Sequence, residues 1–388
     1  MVATSSESQT TTEQLRRQLS PQMEIEEYEI LRPPDELIAF RGRVTGDTGA
    51  AFNRILRAFE ELGYTAMLRE LDDARHEVLA VQGVQEDDDS NPWINVGLFL
   101  ATLATMLFLG AARALSYAEQ FQGLEVSYDL LTILSNLHRG IPFAASLLGI
   151  LLAHELSHYL VARRYGSPVS LPYFIPMPNL LGTMGAVITQ KAPMRNRKAL
   201  FDIGIAGPLG GLVLALPLLI VGLSLSTVQP PPPGIEQAYQ EGNSLLYIAA
   251  KYLVFGEVLP SGSRDVWIHP VAFAAWAGLL VTMINLIPVG QLDGGHVSYA
   301  LLGRRAWTLG YVLIGAMFAW GGLLLVRGNQ AGGFWVLWGF INLILNRKHP
   351  PPLNDVTPVN RWRVLVGVLM LVIFILTFMP SPLRIITL

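Results

Sequence analysis

The run His154-Glu155-Leu156-Ser157-His158 combines residue types and spacing that can carry out a reaction. Positions four apart on a helix share one face, so both imidazoles can reach a single ion. Two histidines and one carboxylate, with a fourth position open to water, suit zinc. Glu155 is then placed to take a proton from that water, which bound zinc makes acidic near neutral pH while polarising a scissile carbonyl. The chain has no cysteine, so disulfides and thiolate ligands are excluded. Two histidines and a glutamate could also form a satisfied polar cluster between helices. Their position inside an apolar stretch favours the chemical reading, because ionisable groups are costly there.

A third ligand must come from the few downstream carboxylates: Asp202, Glu236, Glu241, Glu257, Asp265, Asp293 and Asp355. Asp293 stands out. It follows Asn285-Leu286-Ile287-Pro288-Val289-Gly290-Gln291-Leu292 and precedes Gly294-Gly295, at the end of an apolar run. Pro288 and the glycines break a helix there, which can turn a carboxylate inward. The competing role for Asp293 is an ordinary N-cap for a helix over 294–302.

These residues must be positioned by membrane spans. The chain of 388 residues is 51% hydrophobic and 15% charged, against about 25% charged in an average soluble domain. Residues 1–92 hold 9 basic and 19 acidic residues, a net of −10, and the remainder holds 18 and 11, a net of +7. A bilayer core needs roughly 20 apolar residues in a helix. Residues 93–112, 141–162, 203–226, 271–289, 306–326 and 364–383 fit, and 331–345 is a short seventh candidate. Residues 244–259 are apolar but carry Lys251 and Glu257, and read as an interfacial segment. The expected fold is an α-helical polytopic membrane protein of six to seven transmembrane helices, with a small N-terminal α+β soluble domain.

Basic residues cluster in the loop 163–202, at Arg304 and Arg305, and at Arg347, Lys348, Arg361 and Arg363. With seven spans these all fall on the side of the N-terminus, which the positive-inside rule makes cytoplasmic. The spans 141–162 and 271–289 then run in the same direction. His154, His158 and Asp293 arrive at one depth near the cytoplasmic face.

In front of the spans, residues 1–34 read as a polar tail, without the apolar core of a signal peptide. Residues 35–84 read as a folded unit. Strands are expected at 37–44, 65–71 and 77–82. A helix is expected at 47–62, with Phe52, Ile55, Leu56 and Phe59 on one face and Asp47 or Thr48 as its cap. Residues 85–92, with the acidic run Glu86 to Asp89, read as a linker, and 93–388 as the transmembrane domain.

His154 to His158 together with Asn285-Leu286-Ile287-Pro288-Val289-Gly290-Gln291-Leu292-Asp293-Gly294-Gly295 resembles the site-2 protease family of intramembrane metalloproteases. The resemblance spans about 141–300 and looks most like a cyanobacterial and plastid branch. It implies one Zn²⁺ per chain on His154, His158 and Asp293, and Glu155 as general base. It also implies that Asn285 lies close to the metal, to bond an oxyanion or the substrate backbone; a helix–helix hydrogen bond is its other reading. Leu181 to Ile188 resembles a hairpin to which an extended substrate could add, with Gly182, Thr183 and Gly185 as substrate-binding positions. Ala206-Gly207-Pro208-Leu209-Gly210-Gly211 resembles the start of a core helix.

His296 is a candidate neighbour of the metal or a binder of a substrate carboxylate, although an interfacial role is the favoured reading. His138, His269 and His349 read as residues at span ends. Dispersed arginines form no nucleic-acid patch. The expected partners are a transmembrane protein substrate, the lipid bilayer, and a regulator on the N-terminal domain. The expected location is a bacterial inner membrane, or a thylakoid or plasma membrane, with the N-terminus and active site cytoplasmic. Two other functions use similar residues. A metal transporter also places His and Asp in spans, but no inverted repeat is visible here. An inactive protease-like scaffold does not need the complete set of His154, Glu155, His158 and Asp293.

Overall fold

A computed structural model describes residues 3–31, 37–72, 75–83, 91–231, 237–262, 264–345 and 348–387. The acidic run Glu86 to Asp89, Glu236 and Arg347 lie outside the described residues.

The N-terminal part consists of α1 (Ala3–Leu19), β1 (Met23–Leu31), β2 (Leu37–Val44), α2 (Thr48–Glu60), β3 (Tyr64–Asp72) and β4 (Arg75–Gln82). The strands form one antiparallel sheet in the order β1-β2-β4-β3. Asp47 caps α2 by accepting from the Ala50 N–H. Phe52, Ile55, Leu56 and Phe59 are buried against the sheet, as the helical spacing of these residues requires.

Residues 3–31 differ from the expected tail, since they supply α1 and β1. Leu15, Leu19 and Met23 are buried in the same core as α2. Four glutamates, Glu24, Glu26, Glu27 and Glu29, mask the strand in the sequence. In the fold, Arg41 on β2 pairs with Glu27, Glu29 and Glu77, and Arg43 lies 3.7 Å from Glu26.

The apolar part begins with α3 (Pro92–Gln122), capped by Asn91 with Pro92 in its first turn and ended by Gly123 in the left-handed region. It continues through α4 (Leu130–Ser135), α5 (Ile141–Arg164), the hairpin β5 (Tyr173–Pro176) and β6 (Thr183–Val187), and α6 (Arg197–Ser224). Then come β7 (Thr227–Gln229), β8 (Gln237–Glu241), α7 (Leu245–Phe255), β9 (Asp265–Trp267), α8 (Pro270–Asn285) and α9 (Asp293–Leu302). The chain closes with α10 (Arg305–Val326), α11 (Gly332–Leu345), α12 (Arg361–Thr377) and β10 (Leu383–Thr387), which pairs with β8.

Among the described residues four helices are long and apolar enough to cross a membrane: α3, the helical stretch Leu137–Arg164 that contains α5, α6, and α10. The segment expected to span 271–289 is the shorter helix α8, of 16 residues. It stops at Asn285 because the residue before Pro288 is pushed out of helical conformation and proline has no N–H to donate. Nearly every residue of α8 is buried, so it is the central helix, with α5 and α6 packed on it. Phe143, Leu147 and Leu151 of α5, Leu212, Ala215 and Leu219 of α6, and Ala274, Trp276 and Leu279 of α8 share one core.

A segment around Leu353–Asp355 ties the two parts together. Leu68 of β3 donates its N–H to Leu353 O at 2.7 Å, and Asp355 N–H returns a bond to Leu68 O at 3.1 Å. The other edge of the segment bonds Met194 O and Arg195 O, through Leu353 N–H at 2.8 Å and Asn354 N–H at 3.0 Å. The buried Arg69 guanidinium donates to Pro352 O and Leu353 O. Asp355 accepts from Arg197 of α6 and from the Tyr299 hydroxyl of α9.

Candidate metal centre

His154 and His158 lie one turn apart on α5 and point the same way. Their Nε2 atoms are 3.2 Å apart. Asp293 enters from the first turn of α9, with its carboxylate oxygens 3.1 Å from each Nε2. The competing cap role for Asp293 is not taken up. It is the first residue of α9, and no side chain caps that helix. Its carboxylate faces the histidines instead. His154, Glu155, His158 and Asp293 are 3%, 6%, 5% and 9% exposed, so the cluster is buried at the base of the cavity it lines.

The donor set fits zinc. One atom from each of His154, His158 and Asp293 can be chosen within 4.8 Å of the others. The individual separations of 3.1 to 3.2 Å are those of tetrahedron edges when ligands sit about 2.0 Å from a central ion.

The surrounding elements explain how these side chains are held. The Ile203 carbonyl of α6 lies 2.7 Å from His158 Nδ1. A carbonyl only accepts, so Nδ1 carries the proton and Nε2 is left with its lone pair towards the cluster. Glycine lets α6 come that close. A Cβ on Gly207 would lie 2.0 Å from His158 Nε2. At the other wall, a Cβ on Gly294 would lie 2.1 Å from the Leu286 carbonyl oxygen, so only glycine lets α9 fold back beside the end of α8. Gly207, in the run expected to start a core helix, therefore clears space for His158.

Asn285 ends α8 with Nδ2 3.4 Å from His154 Nε2, so its amide borders the cluster. Ile188, just past β6, lines the same cavity as the Glu155 carboxylate. The cluster opens into a cavity of about 740 Å³, which Glu155, Asn285, Asp293 and His296 line.

Two sequence expectations shift. Gly182, Thr183 and Gly185 are in the hairpin but not on the cavity wall; Ala186, Val187 and Ile188 are. The Thr183 hydroxyl donates to Ile175 O and accepts from Gly185 N–H, so it is used within the hairpin. Gly182 packs against Met106 of α3. His349, read as a span-end residue, is buried in the cavity wall with Nε2 2.6 Å from His296 Nδ1 and its ring stacked on Tyr299. No local signal marks it, since the Leu353–Asp355 segment brings it there.

Two histidines one turn apart, a glutamate beside the first and an aspartate from a later helix form a candidate metal site embedded among apolar helices. Residues 142–318 match the sequence profile of peptidase family M50. The chain is 34% identical over 300 residues to the probable chloroplastic zinc metalloprotease EGY1 of Arabidopsis thaliana, covering 73% of this chain and 52% of that protein. It is 29% identical over 365 residues to probable zinc metalloprotease EGY2 of Oryza sativa subsp. indica, covering 89% of this chain and 62% of that one. The chain thus spans about half to three fifths of the length of these relatives. No solved structure matches.

Proposed function

We propose that the protein is an intramembrane zinc metalloprotease that hydrolyses a peptide bond in or near the transmembrane segment of a membrane protein. One observation carries this reading: His154, His158 and Asp293 present mutually close ligand atoms in the cavity that Glu155 also lines. Zinc held there would supply Lewis-acid polarisation of the scissile carbonyl and acidify water.

The chain's own residues account for the remaining steps. Glu155 takes a proton from the attacking water and delivers it to the leaving nitrogen, so one C–O bond forms as the C–N bond breaks. The Asn285 amide stands where a developing oxyanion needs a donor. The strand edge at Ala186–Ile188 holds an unwound stretch of substrate by backbone hydrogen bonds. Glu155 itself is buried, while Val187 at the strand edge is exposed, so a substrate can reach the site from that side.

Six spans, formed by α3, α5, α6, α8, α10 and α12, with α11 as a seventh, agree with the basic loops lying on the side of the N-terminal domain. That side is cytoplasmic in this reading, and the membrane is a bacterial inner membrane or a thylakoid. The folded N-terminal unit, residues 35–84 extended by α1 and β1, offers a surface for a regulator. The test is cleavage of a single-span test substrate by the purified chain and by Glu155→Gln. Loss of cleavage in the variant supports the reading. Equal cleavage by both overturns it.

A further inference from the structure

The cavity beside the metal cluster is not walled by the apolar helices alone. Met67 of β3 in the N-terminal domain lines it, as do Pro193, Met194 and the triple proline Pro350–Pro352. Met67 stays half-exposed although its neighbours Ala66 and Leu68 are buried in the domain core. Strand alternation places it on the face opposite Ala66 and Leu68, where it packs at the edge of the domain core and also lines the cavity.

The wall is rigid. Leu68 and Arg69 bond the backbone of Pro352, Leu353 and Asp355, and that segment bonds Met194 and Arg195 in turn. The chemistry of the wall differs from that of the opposite side. Prolines have no N–H, so Pro193 and Pro350–Pro352 cannot extend a β-ladder. The strand edge at Ala186–Ile188 offers backbone, whereas the Met67 side offers the apolar surface of Met67, Met194 and the prolines, with the neighbouring Arg69 guanidinium tied to the Pro352 and Leu353 carbonyls. A cavity of about 740 Å³ lies within the size range of sites that take a ligand of several residues' bulk.

We infer that Met67, with Met194 and Pro350–Pro352, forms a specificity pocket for an apolar side chain of the substrate next to the scissile bond. The N-terminal domain thereby completes the substrate cleft. This inference rests on the protease reading above and adds a residue that selects among substrates. Methionine suits the role, because its unbranched thioether adapts to apolar side chains of different shape.

The test separates binding from turnover. Peptides spanning the bond that the wild-type chain cleaves in a single-span test substrate carry Leu or Asp at each flanking position in turn. They are titrated onto full-length Glu155→Gln protein, which binds without hydrolysis. One position should favour Leu over Asp by about tenfold or more. Adding Met67→Asp should bring that ratio close to one, and Met67→Leu should preserve it, with the melting temperature unchanged in both. A photoreactive leucine analogue at the sensitive position should crosslink to Met67 or to the Pro350–Pro352 segment. A ratio unaffected by Met67→Asp, or crosslinks only elsewhere, overturns the pocket while leaving the protease reading intact. Failure of the wild-type chain to cleave any test substrate overturns the protease reading and the pocket with it.

Discussion

The imidazole of His158 is held from behind by the carbonyl oxygen of Ile203, 2.7 Å from Nδ1. One helix thus presents the ligand and its neighbour sets the tautomer. Asp293 closes the set with 3.1 Å to each Nε2. Purified protein should therefore carry about one zinc per chain. His158→Ala and Asp293→Asn should each lose it, whereas Glu155→Gln should keep the metal and lose cleavage by at least about a hundredfold. Elemental analysis beside a cleavage assay measures both. Metal retained in full by the Asp293→Asn protein would remove that residue from the ligand set.

Gly207 tests the approach of α6 to α5. An alanine there would place its Cβ 2.0 Å from His158 Nε2. Gly207→Ala should weaken zinc binding by at least about tenfold while the helical content stays unchanged. Gly315→Ala, in α10, is the control, since nothing lies within 4 Å of the Cβ it would add. It should leave zinc binding as it was. A zinc titration followed by circular dichroism distinguishes the two, and equal affinity in both variants would contradict the steric argument.

Arg363, at the start of α12, donates to both oxygens of Asp202 on α6, at 2.8 and 2.5 Å, and the Tyr165 hydroxyl of the α5 end joins the same carboxylate. Removing one partner leaves a partly buried charge unmatched. Asp202→Asn should cost about 1–3 kcal/mol, read as a lower melting temperature in detergent, with zinc content unchanged. An unaltered melting temperature would show that α12 is held by its apolar contacts alone.

Glu241, at the end of β8, shows how stability should vary with pH. Burial pushes its carboxyl up to about 7, from an ordinary value of 4.5, although Lys251 and the Tyr247 hydroxyl favour the charged form. A raised carboxylate pKa means the folded state holds its proton more tightly than the unfolded chain. The stability from this group is present below pH about 4.5 and is lost as pH rises to about 7. Melting curves across that window should fall with pH, and Glu241→Gln should flatten this part of the profile. An identical slope in the variant would assign the pH dependence to other groups.

The cluster of His154, His158 and Asp293 is legible in the sequence because each part has a local cause. The two histidines follow from helical periodicity, and Asp293 follows from the helix breaker Pro288 and the order of the spans. The helix α2 is legible for the same reason: Asp47 caps it, and its four large apolar residues fall on one face. What stays hidden depends on contacts between distant residues. β1 looks like a solvated acidic run until Arg41 and Arg43 are set beside its glutamates. His349 and Met67 reach the cavity only because β3, the Met194–Arg195 stretch and the Leu353–Asp355 segment pair with one another. Spacing also could not show that the glycines of the hairpin shape it while the next three residues face the cavity.

The pairing of β3 with the Leu353–Asp355 segment also fixes an order of assembly. Arg69 and Leu353 are 284 positions apart, and a ribosome adding about 5–20 residues per second needs roughly fifteen seconds to a minute to cover that distance. Through that interval the N-terminal domain is already synthesised but has nothing to dock on. The cleft gains its last wall only once the Leu353–Asp355 segment has been made, after the helices that carry His154, His158 and Asp293. A newborn chain therefore passes through a stage with its ligands in place and its cleft still open on one side.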